Sequence, residues 1–348
     1  MKKLTLSVAI AAITASTAAM AAGNQGYQYQ YGTGNIAEID QTVGSTNNYA
    51  YQYQSGTANN ALATQEEADS NYSYQAQFGN NNEAEITQLE SDLNYASQSQ
   101  SGTSNVATAR QEYELSSQTS QYQSGLSNSS NVSQYGGQDN YGYTYQYGEE
   151  NNAYVNQYYG ANGRVEIFQG YTADEGVEYS YNNYASVHQG YEQASSILIE
   201  QAGASNYAYT SQYAGSGNTS ATTQLGNGSD SSTYQYYSAS SDVDVDQIGN
   251  DHSSYVYQYS TVSSTVDVDQ FGEANISNVY QYGTDLQATV LQSGDGNNAD
   301  VDQVGLQHQA TVTQYGTTNM AIVAQTATGN VATVYQSGTS NMATIAQN

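Results

Sequence analysis

Histidine is the side chain most often used to move protons or hold metals near neutral pH, and this sequence has three: His188, His252 and His308. His252 and His308 stand at a position that is Asn in neighbouring segments, so their expected role is to replace an amide. His188 has no evident partner. The run Asp242-Val-Asp244-Val-Asp246 could gather Ca²⁺ on alternate carboxylates, but the glycine-rich nonapeptide that carries that chemistry is absent, and the run reads as a solvated acidic strand. A polysaccharide lyase or hydrolase needs a compact set of acids beside a basic partner. Arg110 and Arg164 are the only arginines, and they are scattered. No cofactor or metal is implied, and the chain is not expected to be an enzyme. The group repeated throughout is the carboxamide.

A glutamine returns at every eleventh or twelfth position, with few exceptions, from Gln30 to Gln347, followed by Gly at +2, Asn at +5 and Ala or Ser at +7. Gln54-Ser-Gly56-Thr-Ala-Asn59-Asn-Ala61-Leu-Ala63-Thr-Gln65 shows the unit, and Gln336-Ser-Gly338-Thr-Ser-Asn341-Met-Ala343-Thr-Ile345-Ala-Gln347 repeats it. A fixed short period marks a solenoid. Two glutamine series interleave, one from Gln30 to Gln336 and one from Gln41 to Gln347, each returning at about every twenty-third position except across 169 to 201. Each step reads as one coil of two strands joined by two tight turns, which predicts an all-β solenoid of about 14 stacked coils with amyloid-like cross-β stacking. At about 4.8 Å per strand the column is roughly 65 to 70 Å long.

Residues two apart share a face of a strand, so Asn at +5, Ala at +7, an aliphatic at +9 and Gln at +11 point inward, and Thr, Tyr, Asp, Glu and Ser point out. Buried amides are acceptable when each donates to one copy and accepts from the other. The expected ladder residues include Gln54, Asn59, Ala61, Gln65, Gln100, Asn105 and Gln111. Towards the C terminus they are Gln292, Asn297, Gln303, Gln314, Asn319, Gln325, Gln336, Asn341 and Gln347. Gly32, Gly56, Gly79, Gly102, Gly125, Gly148, Gly316 and Gly338 supply the backbone freedom of a sharp turn. Residues 170–178 break the period and Asn183 to Gln189 restores it in phase, which predicts an inserted surface loop.

Residues 1–21 have the form of a secretory signal peptide: a basic Met1-Lys2-Lys3, an apolar Leu4 to Ala15 and an Ala19-Met20-Ala21 cleavage site. Nothing later is apolar enough to span a membrane. Without cysteine there are no disulfides, and without proline every backbone amide can donate, as a long sheet requires. Removal of residues 1–21 leaves two arginines against 32 acids, a charge near −30 that would repel nucleic acid and anionic membranes. The acids avoid both ends: none precedes Glu38 and none follows Asp302.

The pattern Gln-x-Gly-x-x-Asn-x-Ala-x-x-x-Gln closely resembles the curlin repeat, and early coils carry its partner strand, as in Asn94-Tyr-Ala96-Ser-Gln98-Ser-Gln100-Ser-Gly102. The resemblance spans nearly all of 22–348. It implies a self-polymerising subunit of curli, the extracellular amyloid of bacterial biofilms and adhesion, exported unfolded through an outer-membrane pore and started by a nucleator subunit. Regular final coils favour the major subunit over the nucleator. Curlins usually carry a Gly/Asn-rich leader, whereas here only Ala22-Gly-Asn24-Gln25-Gly26 precede the repeats. Asp244 and Asp246 should lie one coil from Asp267 and Asp269, where like charges about 4.8 Å apart repel by roughly 1 kcal/mol in water; they are candidate gatekeepers that slow stacking. The 37 tyrosines either stack along the column or form an adhesive stripe. A monomeric adhesive or ice-binding solenoid is the alternative, although ice binding would need a flat face of regularly spaced Thr.

Overall fold

The computed structural model describes residues 23–42, 44–172, 176–177 and 179–348. The proposed signal peptide therefore lies outside the described residues. Strands and turns make up the described chain, with no helix among its elements. Two parallel sheets run the length of the column. One has 15 strands, from Gln25–Thr33 to Val331–Thr339, counting the short Ser180–Tyr181 at its side, and the other has 14, from Ile36–Gln41 to Met342–Gln347. Successive strands alternate between the sheets, so each coil contributes one strand to each face and pairs with the next coil.

The register is set by the side chains that must meet. Gln30 lies opposite Gln54, Gln54 opposite Gln77, and Gly32 opposite Gly56. The same pairing is kept where Gln169 meets Gln201 across the long step. Along a strand such as Gln287–Asp295 buried residues alternate with exposed or half-buried ones as far as Gln292, because successive side chains point to opposite faces. Between the sheets lies a narrow seam of Ala, Val and Ile. Val243, Val245, Val256 and Val268 belong to a continuous apolar cluster that reaches Val334, whereas the cluster around Ile86, Ala96 and Ala109 has only three members.

The second turn of the coil is wider than a tight turn in most of the column. A line of single parallel bridges, from Thr46 and Asp69 to Ala239 and Val262, forms a third, very narrow side. Its cause is one residue: the arc from Gln258 to Gln270 is longer by a single position than the arc from Gln281 to Gln292. The register shifts between Tyr259 and Val262 as the cross-section changes, and the remaining coils lack the third side.

At the inserted segment the strand Arg164–Gln169 ends at its ladder glutamine. Tyr171–Thr172 then pairs antiparallel with Gly176–Val177. Ser180 and Tyr181 return to the sheet and pair with Gly148 and Glu149 on one side and Gly203 and Ala204 on the other. Residues 173–175 and 178 of the expected loop lie outside the described residues.

Candidate functional site

The repeated chemistry of this column is amide to amide, and strand pairing positions it. Each Gln of the first series donates from Nε2 to Oε1 of the next, at 2.7 to 2.9 Å, without interruption from Gln30 to Gln336. The second series does the same from Gln41 to Gln347 at 2.7 to 3.0 Å. The second amide proton is also used: Gln54 Nε2 donates to the Ile36 carbonyl at 2.7 Å and Gln100 Nε2 to that of Glu83 at 2.8 Å, which ties one sheet to the other. Gln65, Gln111, Gln292, Gln303, Gln314 and Gln325 are fully buried, and their amides remain satisfied.

The asparagines form a ladder of opposite sense. The backbone N–H of Asn59 donates to Oδ1 of Asn35, and the same bond joins Asn105 to Asn82, Asn297 to Asn275, Asn319 to Asn297 and Asn341 to Asn319, at 3.0 to 3.1 Å. His252 and His308 are built into Asn columns. His252 Nδ1 accepts from the Asn275 N–H at 3.3 Å, while Nε2 lies 3.2 Å from the Ile248 carbonyl. His308 does the same with Asn330 and Val304. Each ring thus replaces Oδ1 with Nδ1 and Nδ2 with Nε2, and burial pushes the His252 pKa down and keeps the ring neutral. His188 is elsewhere, on the second sheet between the rings of Tyr154 and Tyr209.

The glycine column has two requirements. Gly32, Gly56, Gly79, Gly102, Gly125, Gly148, Gly316 and Gly338 all have φ between +105° and +132°, and a Cβ on Gly56 would fall 1.8 Å from the Gly79 carbonyl oxygen. They sit at the ends of strands rather than at the apex of the turn. The apex, two residues on, is left-handed at non-glycine residues, among them Ala58, Asn81, Ser104 and Ser127.

Asp244 faces Asp267 and Asp246 faces Asp269 in adjacent coils. Desolvation by the flanking strands, then the charges of Asp246, Asp267, Asp242 and Asp269, lift Asp244 to about 6 although its side chain still meets solvent. Desolvation followed by neighbouring aspartates also raises Asp267 and Asp269.

Two features escaped the repeat pattern. A third ladder links Gln28, Gln52, Gln75, Gln98 and Gln121 at 2.8 to 3.0 Å and ends at Ser130, whose hydroxyl meets Thr144. Its signal is Gln-x-Gln in five successive coils. Secondly, Glu114 and Glu192 are buried at the wide turn. Glu114 accepts from Ser117 Oγ at 2.6 Å and from the Gly137 N–H at 2.8 Å, and a Cβ on Gly137 would meet Asn140 Nδ2 and the Gly160 carbonyl oxygen at 2.4 and 2.5 Å. Burial raises both carboxyls despite these bonds.

Among the described residues no group of three or more His, Cys, Asp or Glu is placed to hold a metal, and no helix is long and apolar enough to cross a membrane. The curlin associated repeat matches residues 137–170, 239–272, 272–305, 283–316, 294–326 and 316–348. The windows opening at 272, 283 and 294 are offset by one arc of the column. No curated protein matches the chain. The chain thus carries curlin associated repeats in these windows, and the same arc recurs in register and in amide pairing along the rest of the column.

Proposed function

We propose that this curlin-repeat protein is a structural, non-catalytic subunit of extracellular curli-type amyloid fibres, its copies adding end to end to build biofilm matrix and support adhesion. The observation that carries the proposal is the unbroken pair of Gln ladders. A column held by the same bonds at every level can be extended by another copy through those bonds. The ladder residues and column glycines are the assembly machinery in this reading. Asp244, Asp246, Asp267 and Asp269 are its brakes. Residues 1–21 serve as the export signal, 22–348 as the repeat column and 170–178 as an inserted loop. A nucleator subunit and an outer-membrane pore are its partners, with the bacterial cell surface as its location.

The test is to dilute the denatured chain, lacking Met1 to Ala21, into neutral buffer, following thioflavin fluorescence, electron microscopy and fibre diffraction. Fibres that seed fresh chain and diffract at about 4.8 Å and about 10 Å are expected. A stable β-rich monomer that resists seeding would overturn the proposal and leave a monomeric adhesive or ice-binding solenoid. Growth that needs a second subunit as starter supports the major-subunit reading, whereas a chain that only starts growth of another would be the nucleator.

A further inference from the structure

The outer faces carry tyrosines in register. Tyr49 faces Tyr72, Tyr72 faces Tyr95, Tyr184 faces Tyr207 and Tyr257 faces Tyr280. Their ring centroids lie 4.9, 5.1, 5.2 and 5.4 Å apart, with interplanar angles of 3° to 6°. Parallel pairing holds the two Cα atoms one strand spacing apart, so each ring keeps its neighbour from the next coil. Equivalent ring carbons therefore confront one another, including the positions ortho to the hydroxyl, where the unpaired electron of a tyrosyl radical resides. The rings are partly open to solvent: Tyr184 is 40% exposed and Tyr207 39%. The chain has neither cysteine nor tryptophan to intercept a one-electron oxidant.

We propose that these stacked pairs are sites of oxidative cross-linking, in which hydrogen peroxide and a haem peroxidase convert neighbouring tyrosines to dityrosine and staple one coil to the next. Each phenol gives up one electron and one proton. The two radicals form a Cε–Cε bond, and the hydrogens on those carbons move to the phenolic oxygens as the rings regain aromaticity. One peroxide is reduced to two waters for each bond formed. Met320 and Met342 compete by accepting an oxygen atom directly to give sulfoxides. Every staple closes a loop of one coil, within one molecule and whether or not the column enters a fibre.

The experiment mixes equal amounts of isotopically light and heavy folded chain, treats them with peroxide and a haem peroxidase, and maps dityrosine peptides by mass spectrometry. A parallel sample is oxidised in denaturant. In the folded sample the links join Tyr49 to Tyr72, Tyr72 to Tyr95, Tyr184 to Tyr207 and Tyr257 to Tyr280 within one isotope, in yields about tenfold or more above the denatured sample, because proximity replaces diffusion. Tyr207→Phe removes the link to Tyr184 and leaves that between Tyr49 and Tyr72. The oxidised column unfolds at a higher denaturant concentration than the untreated one. Mixed-isotope links in the majority, or in-register yields no greater than in denaturant, would overturn the proposal.

Discussion

Gln224 shows how a carboxamide can occupy a position where a core side chain is usually aliphatic. It accepts from Gln201 at 2.7 Å and donates to Gln247 at 2.8 Å, and its Nε2 also reaches the Tyr207 and Ser229 carbonyls at 2.9 and 3.1 Å. Gln224→Ala strands the buried amides above and below and opens a cavity, so it is expected to cost about 2–5 kcal/mol, read as a fall in denaturant midpoint. His252→Asn restores the ordinary ladder residue and should leave stability unchanged or raised. His252→Ala leaves the Asn275 N–H buried and unpaired, and should cost about 1–3 kcal/mol by the same measurement. Ser254 is the converse case. Its hydroxyl is buried with no partner among the described residues, and Ala299 and Ala321 fill the corresponding inward place in other strands. Ser254→Ala is expected to stabilise by roughly 0.5–2 kcal/mol, and a lower midpoint would show that the hydroxyl has a partner there.

At the scale of the element, the coil combines stiff strands with turns that keep φ positive at residues with side chains. Ala274 has φ +53°, and the same place in the repeat is taken by Asn81, Asp251 and Gly296. Ala274→Gly is expected to gain about 0.5–1 kcal/mol by relieving left-handed strain. Gly226→Ala is expected to do the reverse on a larger scale, because its Cβ would lie 1.7 Å from the Gly249 carbonyl oxygen, and thermal unfolding of the two variants should move in opposite directions. The inserted segment at residue 170 leaves the register intact because Ser180–Tyr181 re-enters the sheet between its neighbours. The extra chain is thus accommodated at the edge of a coil without disturbing the ladders.

Across the whole molecule the interior changes along its length. A third amide ladder occupies the N-terminal coils up to Gln121, and Val or Ile fills most of the equivalent places further on, so the apolar seam is widest in the later coils. The acids are unevenly spread too, and that has a pH consequence. Asp244, Asp267 and Asp269 on the outer face, and Glu114 and Glu192 inside, all bind protons more readily in the folded column. A carboxyl raised on folding stabilises fully below its unfolded pKa of about 4 and loses that contribution as pH rises through its folded pKa, which for Asp244 is about 6. Asp69, lowered by the Thr46 hydroxyl at an exposed site, opposes the trend. So do His188 and His252, whose pKa burial lowers, at a cost in stability as pH falls below about 6.5, but the raised carboxyls outnumber all three. The column is therefore expected to unfold at higher denaturant concentration at pH 4 than at pH 7. Replacing Asp244, Asp246, Asp267 and Asp269 by Asn should flatten that profile and speed fibre growth at pH 7; an unchanged profile and unchanged growth would remove the role assigned to them.

The phase of Gln54, Gln77 and Gln100, the inward Ala and Val columns and the place of the break near residue 170 were legible in the sequence because a ladder works only when identical groups recur at identical levels. The spacing of the amides by itself determined which residues meet. Other features needed the tertiary structure. The Gln-x-Gln pairs show that Gln28 and Gln52 share the inward face of Gln30 and Gln54, but only the coil shows that their ladder ends on the hydroxyls of Ser130 and Thr144. Gly56 is required by the carbonyl of Gly79 in the next coil, a contact too distant along the chain for any local pattern to record. The longer and shorter arcs differ by too little to announce a third side, yet one residue is enough to add a bridge at each level. Glu114 would be read as a surface acid, and it is buried where the Ser117 hydroxyl and the Gly137 N–H of the following coil hold its carboxylate. Periodicity determines what stacks, and the close approach of successive backbones decides what each turn must contain.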